Sequence, residues 1–174
     1  GRMFLADARN AISITSGIMY IIHPEQYQMG RDIQEKMIKR NRCASTVREW
    51  PSVMSALSII SNRETPYHRD TQSRMTWYDL LTSVGPYTIA PLYLSPFRFR
   101  IDNIPGTICA FSGMALRHGV RKCELSRISF AWYMREPVRD GEFVDPAGWM
   151  AQLVYRDLIG PITFGIRSSC IRRA

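Results

Sequence analysis

The stretch Arg127 to Arg135 reads RISFAWYMR, and its strict alternation limits what this chain can become. In an extended strand, successive side chains point to opposite faces. One face then carries Ile128, Phe130, Trp132 and Met134, and the other Arg127, Ser129, Ala131, Tyr133 and Arg135. The apolar face has to pack on a core or a helix. The second face holds two guanidinium groups, a hydroxyl and a phenol, and burying it without partners is costly. Either it looks out into solvent, or it lines a pocket whose ligand supplies the partners. A dicarboxylate fits the second arrangement, because Arg127 can grip a carboxylate through two parallel hydrogen bonds. Alternation alone does not choose between them.

The rest of the chain supplies the setting. Its 174 residues, 45% of them hydrophobic, suit one globular domain, read here as spanning 1–174. Apolar runs are too short for a membrane span, and no secretory signal is visible at the N-terminus. Cys43, Cys109, Cys123 and Cys170 form no C-x-x-C pair and are read as reduced thiols of an intracellular protein. A net charge of +8 favours a polyanionic partner such as nucleic acid. Ala11–Ile22 is rich in β-branched residues and reads as a strand. Pro24 suits the first turn of a helix over Glu25–Arg40. Val53–Ile60, Leu92–Ile101 (broken at Pro96) and Thr107–Phe111 read as further strands, with a turn at Pro105-Gly106. Asp145-Pro146 reads as the cap of a C-terminal helix through Leu158. Many strands with a few helices point to an α+β arrangement, a sheet sandwich or open barrel with helices outside.

The chain has three histidines, and two of them join a constellation. His68-Arg69-Asp70 is an H-x-D pair, whose imidazole and carboxylate share one face of an extended segment. His118 follows the Thr107–Phe111 strand, and a neighbouring strand can bring it to the same ion. Two histidines and one carboxylate on one side of a metal leave the opposite positions open, as in non-haem Fe(II) oxygenases. Taken alone, H-x-D is common surface chemistry, and a lone histidine such as His23 is ordinarily structural.

H-x-D, a distal histidine and an arginine shortly after it together resemble the 2-oxoglutarate/Fe(II) dioxygenases. Longer segments resemble the TET/JBP family of nucleobase dioxygenases, and within it the fungal TET-like 5-methylcytosine dioxygenases: SNRETPYHRD (61–70), WYDLLTSVGPY (77–87), PGTICAFSGMALRHGV (105–120) and RISFAWYMRE (127–136), with SGIMYIIHPEQY (16–27) in support. The resemblance implies a double-stranded β-helix (jelly-roll) core and the use of Fe(II), 2-oxoglutarate and O2. His68, Asp70 and His118 carry over as iron ligands and catalytic centre, and Arg127 as the clamp on the distal carboxylate of 2-oxoglutarate. Ser129, Arg74 and Asn62 are candidate co-substrate contacts.

The implied substrate is 5-methylcytosine in DNA, oxidised to 5-hydroxymethylcytosine and onward to the formyl and carboxyl forms. A methyl carbon inside a duplex reaches a buried metal only if its base is flipped out. Tyr133 is then the stacking platform, Arg135 a donor to the base edge, and Asp79 an acceptor for the exocyclic amine. A histidine contacts the base in some relatives; this chain has none after His118, so that contact is absent or made by Arg135. Trp77, Tyr78 and Tyr87 are either stacking groups or core. The tail Arg167–Arg173 and the cations around Arg31, Lys36, Lys39, Arg40 and Arg42 either touch phosphates or form solvated faces. Two other readings stand beside this one: the same chemistry on thymine, methylated RNA or an N-methylated base, and a DNA-binding domain with weak catalysis. A monomer and, from the DNA substrate, a nuclear address complete the expectation.

Overall fold

The structure is a computed structural model that describes residues 1–41 and 43–150. Helices come first: α1 (Arg2–Asp7), α2 (Arg9–Ile22), α3 (Pro24–Lys39) and α4 (Ala44–Glu49). Eight strands follow: β1 (Ala56–Ser61), β2 (Thr65–His68), β3 (Asp79–Val84), β4 (Leu92–Leu94), β5 (Phe99–Ile101), β6 (Ile108–Phe111), β7 (His118–Val120) and β8 (Ile128–Tyr133). A short helix, α5 (Glu136–Gly141), comes after them.

The strands form two antiparallel four-stranded sheets, ordered β1-β8-β3-β6 and β2-β7-β4-β5. The chain crosses between the sheets repeatedly, and its last strand inserts between the first and the third. This is a jelly roll, and with its helices the α+β expectation holds. The stretch read as Leu92–Ile101 is a hairpin, in which Pro96 sits in a 3-10 turn between β4 and β5.

Helices cover only the first sheet among the described residues. Its outer face, with Leu80, Trp132 and Met134, packs with Ile12 and Met19 of α2 and Met29 and Ile33 of α3. The apolar face read in the RISFAWYMR stretch is thus the helix-facing one. A second cluster, Leu92, Leu94, Cys109 and Phe111, fills part of the space between the sheets.

The N-terminal strand reading is overturned. Ala11–Ile22 lies in α2, where Ile12, Thr15 and Met19 are buried and Ile18 and Ile22 partly so. That spacing is a helical stripe, and packing on the sheet outweighs the strand preference of β-branched residues. Pro24 does open α3, with His23 as its cap: Nδ1 accepts from Gln26 N at 3.4 Å while Nε2 lies 3.0 Å from Thr76 O. Val53–Ile60 is shifted, since Val53 and Met54 belong to the helix-side core and the strand begins at Ala56. Residues 145–150 are not helical, because Gly148 N turns to the Glu25 carboxylate and Ala147 N to Met29 Sδ. The remainder of that segment, Cys170, the basic tail and Arg42 lie outside the described residues. No described helix is long and apolar enough to cross a membrane.

Candidate active site

β2 and β7 are antiparallel neighbours, and their register sets His68 directly opposite His118. The rings lie 4.3 Å apart, centroid to centroid. In each ring Nδ1 meets the carbonyl two residues earlier, Pro66 O at 2.9 Å for His68 and Leu116 O at 3.0 Å for His118. A backbone carbonyl on one ring nitrogen fixes the tautomer that leaves the other free as a ligand. Both Nε2 atoms turn to Asp70, at 3.5 Å from Oδ1 for His68 and 3.7 Å from Oδ2 for His118. One donor atom from each of the three residues lies within 4.8 Å of the others. Burial pushes the His118 pKa down, against the opposing pull of the Leu116 carbonyl and Asp70, so the ring favours the neutral, metal-binding form.

Asp70 sits just past the end of β2 and is held from the β6–β7 loop. Its N–H donates to Gly113 O at 3.0 Å, and Gly113 N donates to Asp79 Oδ2 at 3.0 Å. A Cβ on Gly113 would overlap the carboxylate oxygens of both aspartates, so the close approach requires glycine. Asp79 is buried, and burial first, then the Asp70 charge, pushes its pKa up to about 8 against the Gly113 hydrogen bond. It therefore stands behind an iron-ligand candidate as a neutral carboxyl, at the pocket wall.

These groups open into a pocket of about 370 Å³ between the sheets, within the range of small-molecule sites. The polar face of the RISFAWYMR stretch lines it: Arg127, Ser129, Ala131, Tyr133 and Arg135. Arg127 is buried. Its Nη2 donates to Arg63 O at 2.8 Å, its backbone N donates to Asn62 Oδ1 at 2.7 Å, and Nη1 is buried without a partner among the described residues. A buried cation with one unmet donor, lining the pocket that holds the histidine–aspartate cluster, fits a carboxylate ligand. At the far end of the strand, about 20 Å along it, the Tyr133 hydroxyl bonds Ser58 Oγ and Arg135 Nη2, each at 3.1 Å. The Arg135 guanidinium lies 4.9 Å over the Tyr133 ring.

Two named residues stand apart from the pocket. Asn62 adopts φ 52° in the turn after β1, where it holds the backbone of Arg127. Arg74 pairs with Glu136 at 2.5 Å and lies over Trp77 at 5.8 Å. Trp77 and Tyr87 are buried core residues, and Tyr78 packs on His23 with its backbone clamped by Gln26, so none of the three offers a stacking face. Lys36 and Arg40 turn to the carbonyls of Phe143 and Gly141, and Arg40 to Glu142. The sequence reading missed Gly113, Ser73 and Asn103. The last two have buried oxygens, unpartnered among the described residues, at the pocket wall. No spacing marks them, because they arrive on loops.

A family model described as the oxygenase domain of the 2OGFeDO superfamily, Tet_JBP, matches residues 2–136. Among solved structures, one similar chain is NgTET1 in complex with 5mC DNA, at 15% identity and a TM-score of 0.44. That alignment covers 51% of this chain and 36% of the NgTET1 chain. No curated protein matches.

Proposed function

Because this chain belongs to the Tet_JBP oxygenase-domain family of the 2OGFeDO superfamily, whose chemistry uses Fe(II), 2-oxoglutarate and O2, we propose that it oxidises the methyl group of 5-methylcytosine in DNA. The observation that carries this reading is the single pocket that joins the His68–Asp70–His118 cluster to the unmet donor of Arg127. In it His68, Asp70 and His118 would hold the iron, with the rest of the pocket open to co-substrate and O2. Arg127 grips the distal carboxylate of 2-oxoglutarate, with Ser129 beside it on the strand. When bound, iron and 2-oxoglutarate would let O2 oxidise the methyl C–H bond, one oxygen atom going to the new hydroxyl and the other to succinate, with CO2 released.

The chain's own part is positioning. Asn62 holds the Arg127 backbone and the Arg63 carbonyl holds its guanidinium head before the co-substrate arrives. Gly113 and Asp79 keep the Asp70 carboxylate aimed. The flipped base enters where Tyr133 and Arg135 line the wall, Tyr133 giving an aromatic edge and Arg135 a donor to the base. The choice of 5-methylcytosine, and a place beside the fungal TET-like enzymes, rests on the four long segments quoted above. A single catalytic domain over 1–174, acting as a nuclear monomer, belongs to the same proposal.

The test is to load the protein anaerobically with Fe(II), add 2-oxoglutarate, O2 and 5-methylcytosine duplex DNA, and quantify nucleosides by mass spectrometry, with Asp70→Ala as control. 5-Hydroxymethylcytosine in the wild type alone supports the proposal. Succinate without oxidised cytosine would sink the substrate assignment while leaving the oxygenase chemistry in place, and thymine or N-methylated bases would then be assayed.

A further inference from the structure

The outer face of the second sheet carries an arrangement unrelated to the pocket. β7 is two-sided. His118 and Val120 turn inward, whereas Arg117, Gly119 and Arg121 alternate with them on the outside. Gly119 pairs with Tyr93 of β4, and the bulged β2 brings Tyr67 to the other side. A side chain at position 119 would stand 3.0 Å from Thr65 O and 3.1 Å from Tyr67 N. With none there, the two tyrosines meet edge to face across the glycine, 6.4 Å between centroids. Each ring is then capped by a guanidinium, Arg117 over Tyr67 at 5.7 Å and Arg121 over Tyr93 at 5.2 Å.

Both arginines are exposed, and neither has a carboxylate within ion-pair distance among the described residues. The nearby Arg100 is matched by Asp102 at 2.9 Å, whereas the capped pair is not matched in this way. The helices pack against the other sheet, which leaves this face uncovered among the described residues. An ordinary solvated face intersperses charges of both signs. Here two like charges flank one strand, four residues and about 13 Å apart if the backbone stays extended, in a chain of net charge +8. Stacking on the rings restricts the guanidinium rotamers beforehand, which lowers the entropy lost on binding.

We propose that this face docks the phosphate backbone of duplex DNA through Arg117 and Arg121, outside the catalytic pocket. The ring faces are already occupied by guanidinium groups, so the surface offers planar N–H edges suited to phosphate oxygens rather than open platforms for unstacked bases. The inference goes beyond the oxidation reading, since phosphate docking needs neither iron nor a methylated base.

The experiment measures fluorescence anisotropy of metal-free protein with an unmodified, labelled duplex over a range of salt concentrations. Arg117→Gln/Arg121→Gln is compared with the wild type, and thermal unfolding checks that the variant folds. The expected result is a roughly tenfold weaker Kd and a fall of about 2 in the magnitude of the log K against log salt slope. An unchanged Kd and slope overturns the proposal, and so does weaker binding with the wild-type slope. If the double variant does not fold, Arg121→Gln alone is expected to lower the slope by about 1. The probe holds no 5-methylcytosine and the protein no iron, so failure here leaves the oxidation reading standing, and the reverse also holds.

Discussion

At the residue scale the metal centre depends on a glycine that ligates nothing. Gly113 receives Asp70 N on its carbonyl, gives its own N–H to Asp79, and leaves room for both carboxylates. Gly113→Ala is expected to weaken Fe(II) binding by about 10- to 100-fold, the usual effect of disturbing a ligand's support, with unchanged far-UV circular dichroism. Anaerobic titration checks it, and wild-type affinity in the variant would remove Gly113 from the site. Asp79 carries a pH signature. Its folded pKa of about 8 lies above the ordinary carboxyl range, so the unfolded chain releases this proton first and stability is lost as pH rises from about 4 to about 8. In metal-free protein the Tm advantage of Asp79→Asn over wild type is therefore expected to grow from pH 5 to pH 8 and then level. A gap independent of pH would contradict the neutral carboxyl. His68, Asp70, His118 and Arg127 were legible in the sequence because ligand chemistry restricts them to few residue types. Gly113 was not, since its role is the space it leaves beside two side chains that come from elsewhere.

At the scale of elements, the site depends on how α3 fastens to the approach to β3. Gln26 binds the backbone of Tyr78 with both ends of its amide, Nε2 to the carbonyl at 2.8 Å and Oε1 from the N–H at 2.7 Å. The next residue is Asp79, so this clamp fixes where β3 begins. Gln26→Ala strands two backbone groups and is expected to cost about 2–3 kcal/mol, read as a lower urea midpoint at unchanged m-value. A loss under 0.5 kcal/mol would mean that water replaces the clamp. Element type was legible where one signal stood alone, as with proline at the start of α3 and the alternation of β8. Ala11–Ile22 went astray because β-branched composition and helical spacing pointed different ways, and burial against the first sheet decided for the helix.

Over the whole molecule, four segments distant in sequence converge on one site: β2 and β7 bring the histidines, and the start of β3 and the β6–β7 loop support Asp70. Metal should therefore bind the folded chain far better than the unfolded one. Fe(II) held at about 100 times its Kd is expected to stabilise the fold by about 2.7 kcal/mol, seen as an upward Tm shift that Asp70→Ala abolishes; an equal shift in the variant would place the metal elsewhere. The sequence by itself determined the donor set and the two-faced stretch from Arg127 to Arg135, and its resemblance to the TET/JBP family implied the jelly-roll class. Residue chemistry and strand periodicity are local, and a chain states them directly. Tertiary structure alone decided that His68 stands opposite His118, that Arg74 pairs with Glu136, that Asp79 meets Gly113 behind Asp70, and that two tyrosines meet across Gly119. The histidine and tyrosine pairs depend on register between strands far apart in the chain, and a slip of one residue would turn those side chains to the other face, while the Arg74 and Asp79 contacts depend on loops that only the packed fold brings together.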